Sequence, residues 1–257
     1  MKNLIKRLFR GRILPVLFGP LRGMRLRFSK LLKGRVFIQR YEADKQKAFD
    51  LFINPGSIFF DIGANVGLHS YYVSRKFSDV KIISFEPLPA NVKYIKEIAA
   101  INRLKNIRVV EAAVGSKSGD QFFDQSDNNS KGMLTTNKTT LKVKTYSLDD
   151  YCNSENVFPD VIKIDVEGAE SQVLEGAKYL LEKKHPVFVI ELHNPEQDLA
   201  VGRILNEYGY SIFRLNQHVS DVDSNFLIKV KNVLASWPDG DGIWGSIVAY
   251  HGTELKS

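Results

Sequence analysis

The sequence predicts a doubly wound α/β domain built on a mostly parallel sheet. Three observations carry this. From about residue 57, short β-branched runs alternate with segments of helical periodicity, the pattern of strands joined by crossover helices. The first run ends in a glycine turn that leads straight into a helix. Two later runs end in acids, where the strand tips of such sheets meet their ligands.

Ser57–Asp61 reads as the first strand and Leu68–Phe77 as its helix. Val80–Phe85 is a second strand, followed by a helix over Ala90–Asn102, and Ile107–Val114 is a third strand. Residues 115–145 break the rhythm with Gly115, Gly119, Asn128, Asn129 and Gly132, an irregular insertion ending in the alternating strand Leu141–Tyr146. The rhythm resumes with a strand at Val161–Ile164 and a helix at Ala169–Lys183, with Leu174, Ala177, Tyr179, Leu180 and Leu181 on its apolar side. Val187–Leu192 is a strand, Glu196–Tyr208 a helix, and Ser211–Leu215 and Ile243–Tyr250 the last strands, separated by a polar stretch over 216–242.

The bulk properties bound the function. A chain of 257 residues with 44% hydrophobic and 25% charged residues fits one decorated α/β domain. The single cysteine, Cys152, excludes an internal disulfide and reads as a small buried apolar residue. Charge is unevenly spread. Residues 1–40 hold 12 Lys or Arg and no acid, leaving 24 basic against 29 acidic residues in the other 217. A basic arm (1–40) on a mildly acidic domain (41–257) is not the footprint of a nucleic-acid binder. No apolar run is long enough to span a membrane, and Arg7, Arg10 and Arg12 interrupt any secretory signal, so the expected location is cytoplasmic. Leu4, Ile5, Leu8, Phe9 and Ile13 recur at helical spacing among basic residues up to Pro15. This suggests peripheral contact with the inner face of a membrane through residues 1–16.

The most informative segment is Phe59-Phe60-Asp61-Ile62-Gly63-Ala64-Asn65-Val66-Gly67. An apolar strand runs into an acid, two spaced glycines and a helix start, which together form a ligand cradle. The dinucleotide pattern G-x-G-x-x-G is not met, because Asn65 and Leu68 stand at its second and third glycines. Asp61 would repel a diphosphate but suits the cationic end of S-adenosylmethionine. Glu86, at the tip of the second strand, is placed to accept both ribose hydroxyls, a device shared with nicotinamide enzymes.

Two further tips carry chemistry. Lys163, Asp165 and Glu167 surround the turn after Val161–Ile164, and Glu191 and His193 close the next strand. Asp165 needs a partner, for which Lys163 is the candidate. Glu170 reads as a complement to a helix dipole, and His69 as a packing or capping residue. His193, Asp165, Glu167 and Glu191 are the candidate catalytic groups. They are also a possible but disfavoured set of ligands for a divalent metal, since their spacing matches no dedicated motif.

These residues resemble the FkbM-type methyltransferases. The resemblance lies in Asp61–Gly67, Phe85–Asn91 and Ile164–Glu170, supported by Ala112–Gly115, Ser147–Asp150 and Phe18–Gly23, and covers roughly residues 18–215. It implies a class I methyltransferase fold, Rossmann-like, with a doubly wound seven-stranded, mostly parallel sheet. It also implies S-adenosylmethionine as methyl donor and the hydroxyl of a sugar, glycolipid or macrolide as acceptor. By residue matching, Asp61, Gly63, Asn65, Gly67 and Glu86 would line the cofactor. The acid that many class I enzymes use to hold adenine is replaced in Glu111-Ala112-Ala113, leaving backbone groups or Glu111 for that task. The alternatives are an NAD(P)-dependent oxidoreductase or epimerase, and a non-catalytic binding protein on the same fold.

Overall fold

The structure, a computed structural model, describes residues 11–29, 42–125, 132–135, 141–216, 226–233 and 242–252. In chain order the elements are β1 (Ile13–Pro15), β2 (Arg25–Arg27), α1 (Ala43–Phe52), β3 (Ile58–Ile62), α2 (Leu68–Lys76), β4 (Lys81–Phe85), α3 (Pro89–Ile101) and β5 (Ile107–Val110). Then come β6 (Ala113–Val114), β7 (Gly119–Gln125), β8 (Gly132–Thr135), β9 (Leu141–Tyr146), α4 (Leu148–Glu155), β10 (Val161–Ile164) and α5 (Glu170–Glu175). The chain closes with β11 (Val187–Glu191), α6 (Pro195–Glu207), β12 (Tyr210–Leu215), β13 (Leu227–Lys229) and β14 (Ser246–His251).

The main sheet runs β13-β12-β14-β11-β10-β3-β4-β5. Strands β11, β10, β3, β4 and β5 are mutually parallel, and β14 is antiparallel to β11 and β12. Seven of these strands are the expected ones. The eighth, β13, pairs along the free edge of β12 and lies within the stretch read from sequence as polar and strandless. The order reverses between β3 and β10, and ligands bind beyond the carboxyl ends of strands at such a switch point.

Alternation along the strands buries both faces. Phe59 packs with Phe49, Tyr71, Ile95 and Ile98 on one side, whereas Phe60 packs with Phe85, Tyr151, Leu174 and Phe188 on the other. The helix starts are defined locally. Ser147 accepts from the Asp150 amide at 3.2 Å to cap α4, and Asn194 accepts from the Gln197 amide at 3.0 Å to cap α6, where Pro195 takes the first turn. Cys152 is buried on α4, where burial and then Asp149 push its thiol up to about 12, as expected of an inert packing residue.

Several elements differ from the sequence reading. The third strand stops at Val110. The chain turns at Glu111–Ala112, and Ala113–Val114 joins a second sheet of order β6-β9-β7-β8. The helix expected over 169–183 is α5 followed by a separate π-helical turn, Leu180–Lys184, and Tyr179 is 40% exposed rather than part of the apolar side. Helix α1 precedes the first expected strand. Residues 13–27, placed in the arm, form a hairpin whose Val16, Leu21, Met24 and Leu26 enter the core. The Arg27 guanidinium pairs with Glu97, and the Tyr94 hydroxyl donates to the Arg27 carbonyl at 2.8 Å. Ile13, taken as part of a basic amphipathic helix, stands in β1; residues 1–10 of that helix lie outside the described residues. Among the described residues no helix is long and apolar enough to cross a membrane.

Candidate active site

The carboxyl ends of β3, β4 and β10 open into a cleft of about 690 Å³, counting the solvent at its mouth. Its polar wall is Asn65, Glu86, Asp165 and Glu167, and its apolar end includes Leu88, Ala112, Ala113 and Val114. The turn at Glu111 is what brings the two alanines there. Glu111 itself is exposed and is not part of the lining.

The glycine turn is built on close approach. Gly63 has φ +71°, and a Cβ there would lie 2.0 Å from the Asp165 carbonyl oxygen. The turn therefore depends on this glycine for the contact between β3 and the β10 tip, besides lining the cleft. Gly67 has φ +80° and a Cβ there would meet the Tyr71 ring at 2.9 Å and Ile95 at 3.1 Å, so its role is to seat the start of α2. Gly67 does not line the cleft, and neither does Asp61.

Asp61 lies beneath the cleft floor, fully buried. It accepts from Ser70 Oγ at 2.6 Å and stands 3.1 Å from Lys163 Nζ. Burial would raise its pKa, but the Lys163 ammonium outweighs this, with help from His69 and Ser70, and holds the carboxyl below its ordinary value. Lys163 also donates to the carbonyls of Gly63 at 2.8 Å and Ile62 at 3.2 Å, and its Nζ is 3.7 Å from Asp165. One buried ammonium thus ties the first glycine turn to the tip of β10.

Glu86 is almost completely buried at the tip of β4. It accepts from the amides of Asn65 at 2.8 Å and Leu88 at 3.0 Å, and from Asn91 Nδ2 at 3.1 Å. Burial pushes its carboxyl up to about 7 against these bonds.

Beside the cleft, His193 stands on the turn after β11. Its Nδ1 is 2.9 Å from Glu170 Oε1, and its Nε2 is 3.4 Å from Glu167 and 3.5 Å from Asp165. Burial would lower its pKa, but the Glu170 hydrogen bond and charge, then Asp165 and Glu167, outweigh it and raise the value. Glu167 is held at φ +57°, a left-handed conformation costing a non-glycine residue about 1–3 kcal/mol. Strain at this turn accompanies an acid directed at the imidazole.

Two roles differ from the sequence reading. Glu170, expected to complement a helix dipole, is the carboxylate on His193 Nδ1, while Asp165 stands near Nε2. Glu170 is fully buried, and its Oε1 also accepts from the Gly168 amide at 2.9 Å. Glu191 instead pairs with Lys45, which is also 2.9 Å from Glu42. The Glu42 carboxylate in turn lies 2.6 Å from His69 Nε2. Glu42 and Lys45 stand at the start of α1, a segment with no motif to flag them. Glu170 was visible as an acid but not as a buried one. Ligand atoms of Asp165, Glu167 and His193 lie within 4.8 Å of one another, as do those of Glu42, Asp165 and Glu191. In the latter group the Lys45 ammonium already supplies a cation.

Against known proteins, residues 61–212 match the methyltransferase FkbM domain. This chain belongs to the FkbM methyltransferase family. The matched span begins at the Asp61 turn and ends in β12, so it holds every strand tip described above. Among related proteins, the hexuronic acid methyltransferase AglP of Haloferax volcanii is 29% identical over 176 residues, covering 66% of this chain and 69% of its own. The 2-O-methyltransferase NoeI of Sinorhizobium fredii is 26% identical over 170 residues, covering 58% and 68%. A crystal structure of methyltransferase FkbM from Methylobacillus flagellatus aligns over 86% of this chain and 47% of its own, at 17% identity and a TM-score of 0.49. The family match and the strand order make the enzyme a methyltransferase on a Rossmann-like sheet.

Proposed function

We propose that this enzyme transfers a methyl group from S-adenosylmethionine to a sugar hydroxyl. The observation that carries the reading is the union of an acid-lined cleft with the Glu170–His193 pair at the same edge of the sheet. Among the described residues the cleft wall carries Glu86, Asp165 and Glu167 and no Lys or Arg, which suits a cationic ligand and disfavours a diphosphate such as NAD. Glu86 is the ribose acceptor in this reading, and the slot between Leu88, Ala112 and Ala113 takes the adenine with backbone groups at its rim. Gly63 and Asn65 shape the turn, and Asp61 and Gly67 support it from below and behind. The named activities of AglP and NoeI, a hexuronic acid methyltransferase and a 2-O-methyltransferase, support the acceptor class.

S-adenosylmethionine supplies an electrophilic methyl group on a sulfonium. The protein must hold an oxygen about 3 Å from that carbon and exclude water. A hydroxyl becomes a competent nucleophile when a base takes its proton. Glu170 on Nδ1 fixes the tautomer that leaves Nε2 free to accept it. Asp165 and Glu167 then stabilise the imidazolium. Glu191, tied to Lys45, orders the outer rim.

The test is incubation with methyl-labelled S-adenosylmethionine and a panel of neutral and uronic-acid oligosaccharides, with mass spectrometry of the products. Label on a sugar oxygen is the expected result. Label on none of the panel, or on nitrogen or carbon of another acceptor, overturns the reading.

A further inference from the structure

A second cleft, of about 680 Å³, lies at the same edge of the sheet and is lined by Arg214, Leu215, Asn216, Ile228, Trp244 and Ser246. Among the described residues no Asp or Glu lines it. Strand pairing fixes its relation to the active site. Ser246 of β14 stands opposite Glu191 of β11, and Arg214 of β12 stands opposite Ile247. The Leu192 amide donates to the Gly245 carbonyl at 2.9 Å, so the cleft begins one residue from His193. Strands β11 and β12 are two spacings apart, or about 10 Å. That is roughly the distance from one hydroxyl of a disaccharide to a substituent on its second ring.

The chemistry of this cleft is specific. Trp244 is 38% exposed, and the Arg214 guanidinium lies 5.1 Å from its ring centroid. Arg214 Nε is buried with no hydrogen-bond acceptor among the described residues. Arg214 lines the cleft, and a guanidinium edge matches a carboxylate with two parallel bonds. An indole ring favours the C–H face of a pyranose, because its quadrupole is negative where those hydrogens are positive. The acids around His193 repel an anion, whereas Arg214 attracts one.

We propose that the Arg214–Trp244 cleft is an acceptor subsite for a uronic-acid unit. Arg214 takes the carboxylate, Trp244 stacks on the ring, and the hydroxyl to be methylated points toward His193. The inference rests on the sugar-methyltransferase reading above, but its test needs no methyl transfer. Binding of methyl glucuronoside and methyl glucoside is measured by ligand-observed NMR titration on the full chain, for wild type, Arg214→Gln, Arg214→Lys and Trp244→Ala. S-adenosylmethionine binding to each variant reports an intact fold. The wild type is expected to bind the glucuronoside roughly tenfold or more tightly than the glucoside, the scale of one charge-assisted hydrogen bond. Arg214→Gln abolishes that preference, Arg214→Lys keeps only part of it, and Trp244→Ala weakens both sugars. Equal binding of the two sugars by wild type, or an undiminished preference in Arg214→Gln, overturns the subsite. Uronate preference in a protein that transfers no methyl group would instead overturn the catalytic reading and leave the subsite standing.

Discussion

Replacing His193 with alanine lowers single-turnover methyl transfer by about 10²–10⁴-fold, the usual contribution of a positioned general base. S-adenosylmethionine affinity stays within about twofold, because the imidazole is outside the cleft wall that holds the cofactor in this account. The pH profile carries the same signature. A base must be neutral to accept a proton, and His193 is raised above its ordinary value by Glu170, Asp165 and Glu167 against the effect of burial. Activity therefore falls as the pH drops through a value above the unperturbed one of about 6.5. Glu170→Gln removes the strongest of the raising influences, so the acid limb moves to lower pH while the rate above it falls. A chelator leaves the wild-type rate unchanged. A wild-type rate in His193→Ala would remove the residue from the mechanism. Loss of activity on chelation would transfer the role to a cation held by Asp165, Glu167 and His193.

Lys163→Met destabilises the fold by about 3–5 kcal/mol, the cost of breaking a buried ion pair from one side. The variant leaves Asp61 fully buried with Ser70 as its remaining donor and takes the ammonium from the Gly63 carbonyl, while the Ile62 carbonyl keeps only the Asp165 amide. For a fold held by roughly 5–15 kcal/mol this is a large fraction of the total. Urea unfolding followed by tryptophan fluorescence measures it as a shift in midpoint at constant slope. Adding Asp61→Asn to Lys163→Met recovers part of the loss, since the uncompensated charge has gone. A loss below about 1 kcal/mol in the single variant would show that Lys163 is not the tie between β3 and β10 described above.

What could be read from the sequence follows from how each signal is encoded. Strands such as Val161–Ile164 and the turn at Asp61–Gly67 are local: a few adjacent residues specify both the backbone and the acid at its tip. The pairing of Lys163 with Asp165 was legible for the same reason, since they alternate on one strand. The break at Val110 was not, because Ala113–Val114 is drawn away by β9, more than 25 residues later, and nothing in the apolar run Ile107–Val114 records that partner. Strand β13 depends likewise on the edge of β12. Glu170 illustrates the limit at the site. Its position in the first turn of α5 fits a dipole partner, and only the packing of α5 under the β11 tip turns it toward His193. Lys45 and Glu42 reach Glu191 and His69 across the fold from a segment with no recognisable pattern.

Calorimetric titration with S-adenosylmethionine, its demethylated product and NAD decides which cofactor the cleft takes. The titration is best run near pH 8, above the value of about 7 to which burial pushes Glu86, so that the carboxylate is ionised. S-adenosylmethionine and its product are expected to bind with a Kd in the micromolar range, about −8 kcal/mol, and NAD to give no heat. Glu86→Ala should weaken both by about 1.5–3 kcal/mol, the scale of a hydrogen bond to a charged group. Tight NAD binding with no response to S-adenosylmethionine, or unchanged affinity in Glu86→Ala, would contradict the S-adenosylmethionine reading.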